Sequence, residues 1–261
     1  MGDSPRSLII IPARYGSSRL PGKPLVKIAG KSMIQRVWEI AKAVTLAERV
    51  LVATDDQRIF EACTQFSAEV VMTPPACENG TERALAALEK LDLAPEIVIN
   101  FQGDAVTTPS AMVSELLEFM LANSAVQMAT IAKQLDPQTV DTIVNSKEQA
   151  GSMTFVTFAR DGRALYFSRS QIPNFRDKKK ISSALYKHVG IYAYRLPTLR
   201  QYVALPPSAL EQAEKLEQLR ALENGIPIHV VVTQQQCTLV SVDNPEDVAR
   251  AEAVILAQGS R

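Results

Sequence analysis

The sequence predicts an α/β fold: a doubly wound, mostly parallel sheet accompanied by a smaller mixed or antiparallel lobe. Three observations carry that expectation. The β-rich runs of the first half are apolar almost throughout, as strands covered on both faces must be. Segments with helical apolar spacing separate them, which is the alternation that builds a parallel sheet. After about Val126 the pattern changes to consecutive strand-like runs with a hairpin signal, and α/β alternation returns only near the end.

In chain order, SLIII (7–11), RVLVAT (49–54), AEVVM (68–72) and EIVINF (96–101) read as buried strands. Met33, Ile34, Val37, Trp38, Ala41 and Val44 fall on one face of a helix, and Leu85, Leu88 and Leu91 mark another. In the second half VQMATIAK (126–133), SMTFVTFA (152–159), ALYFSR (164–169) and KHVGIYAYR (187–195) read as strands, with Asp161-Gly162 as a hairpin turn. SALEQAEKLEQLRALENG (208–225) reads as one strong helix, because Ser208 and Glu211 have capping-box spacing and Gly225 supplies a stop. A last strand, IPIHVVVT (226–233), and a last helix from about Asn244, with Pro245 in its first turn, close the chain. These changes divide it at 1–125, 126–225 and 226–261. The basic run FRDKKKISS (175–183) reads as a solvated loop that could close over a neighbouring site.

Composition narrows the function classes. Lys plus Arg and Asp plus Glu are 28 each, so bulk charge gives no electrostatic capture of nucleic acid or membrane, and any anion site must be local. Cys63, Cys77 and Cys237 are scattered without metal-ligand spacing and read as reduced thiols. His188 and His229 are the only histidines, which excludes a His-rich metal site. No apolar stretch is long enough to span a bilayer, and the expectation is a cytoplasmic protein.

Candidate chemistry falls in four places. The loop after the first strand, IPARYGSSRLPGKPL (11–25), carries Arg14, Arg19 and Lys23 with Gly16 and Gly22 among them. Strand, glycines and cations at the end of a first strand suggest a phosphate cradle. The spacing is not that of a P-loop, and Pro24 stands where the P-loop hydroxyl would be. The competing reading is a solvated loop with turn glycines. Second, Asp104 ends the run NFQGD, and Asp243 lies in SVDNPED. Either is explicable as a helix cap, but magnesium needs few protein carboxylates beside phosphate and water oxygens. Third, GTER (80–83) opens a helix whose first amides and Thr81 hydroxyl suit a base or an anion. Fourth, Ser168-Arg169, Arg176 and KHVGIYAY gather in the second half. Strand alternation puts His188, Gly190, Tyr192 and Tyr194 on one face, with the small residue leaving space there. A half-buried strand with polar residues outside fits that spacing equally well.

Assembled in order, IPARYGSSRLPGKPL, VATDD, NGTER, QGD, ALYFSRSQIP, KHVGIYAYR, LEQAEKLEQLRALENG and VDNPED resemble the 3-deoxy-manno-octulosonate cytidylyltransferases over almost the whole chain. The first block is shared broadly among nucleotidyltransferases, whereas YFSR, KHVGIYAY and LEQLR are far more specific. The resemblance implies a nucleotide-diphospho-sugar transferase-like fold and a reaction in which the anomeric hydroxyl of an octulosonate attacks the α-phosphorus of CTP and pyrophosphate leaves, for lipopolysaccharide biosynthesis. It implies that Arg14, Arg19 and Lys23 neutralise the triphosphate, that Gly80, Thr81, Arg83 and Gln102 help seat the nucleotide, and that Asp104 and Asp243 hold Mg²⁺. The 2-keto-3-deoxy sugar acid would lie near Arg169, Arg176, His188, Tyr192, Glu217 and Gln218, with the Arg169 fork suited to its carboxylate. Residues 1–125 would be the nucleotide-binding half, 126–225 the sugar-binding and dimerisation lobe of a homodimer, and 226–261 the return that brings Asp243.

Three features depart from the family pattern. Asp104 is followed by Ala105 and Val106 where Glu-Pro is usual, MTFVTFARDG lacks the lysine of a VKVV-like strand, and SVDNPEDV replaces GVDTPEDL. The first motivates an alternative substrate, a modified (8-amino) octulosonate. An alternative of another class is a non-catalytic nucleotide- or sugar-binding regulator, against which the retention of both aspartates argues.

Overall fold

The computed structural model describes residues 5–16, 19–145, 153–176 and 185–259, so most of the basic run at 175–183 lies outside the described residues. The elements follow the apolar pattern. The first half contains strands β1 (Ser7–Ala13), β2 (Lys27–Ile28) and β3 (Lys31–Ser32), helix α1 (Met33–Lys42), β4 (Arg49–Thr54), α2 (Gln57–Gln65), β5 (Glu69–Met72), α3 (Gly80–Lys90), β6 (Ile97–Phe101) and α4 (Ser110–Ala122). The second half continues with β7 (Met128–Gln134), α5 (Pro137–Asn145), β8 (Phe155–Phe158), β9 (Ala164–Ser168), β10 (Tyr186–Arg195), α6 (Leu196–Val203), α7 (Ala209–Glu214), α8 (Gln218–Glu223), β11 (Ile228–Val232) and α9 (Pro245–Gly259).

The main sheet runs in the order β11-β7-β10-β6-β1-β4-β5. The pairs β6–β1, β1–β4, β4–β5 and β7–β11 are parallel, while β10 lies antiparallel between β6 and β7. The α/β expectation therefore holds, and it extends further than the pattern change at Val126 suggested. β7, β10 and β11 continue the first-half sheet, and the β8–β9 hairpin stands off its path, attached through β10. Gly162, at a φ of +86°, supplies the turn of that hairpin as its Asp-Gly signal predicts.

Two apolar layers cover the sheet. Val189, Ile191 and Ala193 of β10 join the layer containing α1 and α4, while Tyr192 and Tyr194 join the layer containing α3 and α6. Alternation along β10 is thus real on both faces. One helix differs from expectation: 208–225 is broken into α7 and α8, with Lys215 in the left-handed region at φ 55°. The cause is tertiary. The Glu214 carboxylate accepts from the Ser168 hydroxyl at 2.7 Å and from the Arg169 amide at 3.0 Å, tying the end of α7 to β9. Gly225 ends α8 at φ +73°, as read from the sequence.

Candidate active site

The carboxyl ends of β1 and β6 converge beside the start of α3, the usual ligand position in an open α/β sheet. Gly103 makes this convergence possible, since a Cβ there would lie 3.0 Å from the Pro12 carbonyl oxygen. The cleft so formed, about 370 Å³, is lined among others by Arg14, Arg19, Lys23, Gly80, Gln102 and Asp104. The cradle loop is pinned by Gly22. Its φ of +67° bends the chain, and its amide donates to the Tyr15 carbonyl at 3.2 Å.

Lys23 is the electrostatic centre of this cleft. Its Nζ donates to Asp104 Oδ2 at 2.7 Å and to Asp243 Oδ1 at 3.0 Å, and Arg19 donates to the same Asp243 oxygen at 3.1 Å. Burial alone would lower the Lys23 pKa, but the Asp104 and Asp243 carboxylates outweigh it and hold the ammonium above the ordinary lysine value. Two aspartates far apart in sequence therefore meet at one nitrogen. Neither caps a helix: Asn244 takes that role for α9, accepting from the Asp247 amide at 3.2 Å.

Asp243 ends a stretch without regular structure, and its position is set by side chains. The buried Thr107 hydroxyl accepts from the Val240 amide at 2.8 Å, and the Val242 amide donates to the Asp104 carbonyl at 3.4 Å. The Asp247 carboxylate accepts from the Asp243 and Asn244 amides at 3.0 and 3.2 Å. Ala105 and Val106 are buried in the apolar layer beneath, so they anchor the Asp104 loop by packing.

Two residues expected at the nucleotide have partners within the protein. Thr81 is buried, accepts from the Asn100 amide at 3.0 Å and reaches Glu217 at 3.5 Å, so its hydroxyl serves the protein interior. Arg83 lines the cleft, but its guanidinium is committed to Asp55 at 2.8 Å and the Thr73 hydroxyl at 2.7 Å. Both follow from the register of α3, which turns these side chains inward.

A second cleft, about 560 Å³, adjoins the first and shares with it Arg19, Gln102, Asp104, Asp243 and Glu217. His188, Gly190 and Tyr192 of β10 form part of its wall, and open space lies over Gly190, as the alternation predicted. The Tyr192 hydroxyl donates to Gln218 Oε1 at 2.9 Å, while Gln218 Nε2 is buried with no partner among the described residues. His188 Nε2 lies 2.9 Å from the Thr130 hydroxyl, whose own proton goes to the Ile191 carbonyl at 2.8 Å. The hydroxyl oxygen thus accepts from Nε2–H, and burial pushes the His188 pKa down to about 3, so the ring is neutral. Burial, reinforced by Glu211, raises the pKa of Glu217.

Arg169 lines this cleft, but its Nε donates to the Glu214 carbonyl at 2.8 Å and its Nη2 to the Lys215 carbonyl at 3.2 Å. That edge of the predicted carboxylate fork is spent on the helix break. Arg176 does not line either cleft. Missed by sequence reasoning were Lys187 and Arg250, both in the wall, and the Thr107 clamp. Lys187 heads the KHVGIYAY block and was visible there.

A family model for cytidylyltransferases matches residues 8–248. A 3-deoxy-manno-octulosonate cytidylyltransferase of Maricaulis maris is 50% identical over 254 residues, covering 97% of this chain and 98% of that protein. One from Chlamydia trachomatis serovar L2 is 43% identical over 249 residues, covering 95% and 93%. A solved CMP:2-keto-3-deoxy-manno-octonic acid synthetase in complex with CTP superposes with a TM-score of 0.86 at 39% identity, covering 97% of this chain and 99% of that one. A cytidylyltransferase structure from Leptospira borgpetersenii, at 15% identity and a TM-score of 0.60, shares the fold.

Proposed function

The chain belongs to the 3-deoxy-manno-octulosonate cytidylyltransferases, and from that membership we propose how its two adjoining clefts divide the reaction. The protein is a nucleotidyltransferase that couples CTP to 3-deoxy-manno-octulosonate, giving the CMP-sugar and pyrophosphate for lipopolysaccharide biosynthesis. The first cleft takes CTP. Arg14, Arg19 and Lys23 neutralise the triphosphate, and Gly80 and Gln102 border the nucleotide. The second takes the octulosonate against His188, Tyr192, Gln218 and Arg169. In this division 1–125 supply the nucleotide side, 126–225 most of the sugar side, and 226–261 return Asp243 to the boundary.

The observation that carries the reading is the shared wall. Gln102, Asp104, Asp243 and Glu217 border both clefts, so an anomeric oxygen in one faces an α-phosphorus in the other. Transfer of this kind is mainly positioning and charge neutralisation, and His188, whose basicity burial lowers to a pKa of about 3, orients rather than abstracts a proton. Asp104 and Asp243 suit a divalent ion in chemistry: both are carboxylates, and they already meet on one cation, Lys23. They would hold Mg²⁺, which when bound adds positive charge against the phosphates.

The test is pyrophosphate release from CTP with 3-deoxy-manno-octulosonate and with its 8-amino form. Release should require the sugar and fall by about 10²-fold or more in Asp243→Asn, the scale of losing one key electrostatic group. CTP binding without release, whichever octulosonate is offered, would overturn the enzymatic reading in favour of a regulator.

A further inference from the structure

We propose that Lys187, at the head of β10, recognises the carboxylate of the sugar acid. This rests on the assignment of the second cleft to the octulosonate. Lys187 lines that cleft and does not line the nucleotide cleft. Across the sheet it stands directly opposite Lys133 of β7, a cross-strand pairing of like charges that costs stability. Lys133 is satisfied by the Cys237 carbonyl, to which its Nζ donates. Among the described residues Lys187 Nζ donates only to the Leu239 carbonyl, at 3.4 Å, a weak contact.

The acidic groups nearby are already taken. Asp104 and Asp243 are paired with Lys23 and Arg19, and Asp247 with Arg250 at 3.1 Å and with backbone amides. Among the described residues no carboxylate forms an ion pair with Lys187. Burial, together with Lys133 and Arg250, pushes its pKa below the ordinary lysine value. A half-buried ammonium beside two other cations, facing a cavity and lacking a carboxylate, is an anion site with its counter-charge to come from the ligand. The octulosonate carries one carboxylate. Arg169, the other candidate, has its Nε and Nη2 on the carbonyls of the helix break.

The experiment compares 3-deoxy-manno-octulosonate with its C1 amide as substrates for the wild type, Lys187→Gln and Lys187→Arg. The wild type should prefer the acid. Lys187→Gln should raise the KM for the acid roughly ten- to a hundredfold, the scale of one charge-assisted hydrogen bond, and use acid and amide alike. Its KM for CTP and its melting temperature should stay near wild type, and Lys187→Arg should restore part of the preference. Undiminished preference for the acid in Lys187→Gln overturns the assignment. So does an equal loss for both substrates with a lower melting temperature, which marks Lys187 as a prop for the Leu239 segment. Wild-type protein that turns over neither sugar overturns the underlying cytidylyltransferase reading, and this assignment falls with it.

Discussion

In the first cleft the charged groups at its centre satisfy one another. Lys23 holds Asp104 and Asp243, and Arg19 holds Asp243. In the second cleft the β10 side of the wall is set by neutral, buried contacts: Tyr192 on Gln218, His188 on Thr130, and the rings of Phe167 and Tyr192 with centroids 5.0 and 5.6 Å from His188. On the proposed reading, the first cleft exchanges partners when a phosphate chain arrives. The second is shaped before its ligand comes, with the polar Gln218 Nε2 left over. The contrast follows from chemistry. Charges paired in a partly wet cleft can be re-paired at little cost, whereas buried neutral hydrogen bonds are costly to break and so hold a shape.

The largest effect should come from breaking the charge side. Lys23→Ala removes the cation between two carboxylates, and turnover should fall by about 10²-fold or more through lost neutralisation of the triphosphate. Because Asp104 would then lose its ion pair and Asp243 would keep only Arg19, stability should also fall, by about 1–2 kcal/mol for a partly exposed cluster. Added Mg²⁺ should restore more of the melting temperature in this variant than it adds to the wild type. A melting curve unmoved by both the mutation and the ion would show that the aspartates do not form a cation site.

A smaller loss is expected from the preorganised side. Tyr192→Phe deprives Gln218 of its one described partner, and the KM for the sugar should rise roughly tenfold, the scale of one buried hydrogen bond. CTP binding should be untouched. Comparable losses for both substrates would mean the two clefts are not separately organised.

The smallest effect concerns pH. His188 has its pKa lowered from 6.5 to about 3, so below pH 6.5 the unfolded chain binds a proton that the native state refuses. Its contribution to stability is complete above pH 6.5 and is lost as pH falls toward 3. Urea midpoints at pH 7 and pH 5 should therefore differ less in His188→Asn than in the wild type. An unchanged difference would place an exposed, protonatable ring at 188 and remove the basis for treating it as a neutral hydrogen-bonding group.

Much of the sheet was legible because apolar runs announce buried strands, and β1, β4, β5 and β6 fall within a residue or two of their sequence assignments. The meeting of Asp104 with Asp243 was legible only through resemblance, since nothing local to either residue encodes a partner so distant in the chain. The pairing of Arg83 with Asp55 was hidden for a related reason. GTER announces a helix start, but whether the fourth residue faces a ligand or Asp55 depends on how α3 rolls onto the sheet. Lys187 was visible in the KHVGIYAY block, but its pairing with Lys133 opposite was not, since strand register is not written in one strand alone. The strands after Val126 pair both antiparallel, as β10 does with β6 and β7, and parallel, as β11 does with β7, within the same sheet as those before it.

The break at Lys215 has a wider meaning. The segment 208–225 is written locally for an unbroken helix, with an acidic start, helix-forming residues throughout and a glycine stop. The folded chain overrules it, and the bend is where Glu217 and Gln218 enter the second cleft. Here local preference and global structure disagree, a point of frustration in an otherwise consistent sequence. Substitutions elsewhere that loosen Ser168 or Arg169 from Glu214 would let the segment drift back toward its intrinsic form, withdrawing two cleft-facing side chains at once. The shape of the second cleft therefore depends on β9, whose hold on α7 keeps the helix in two pieces.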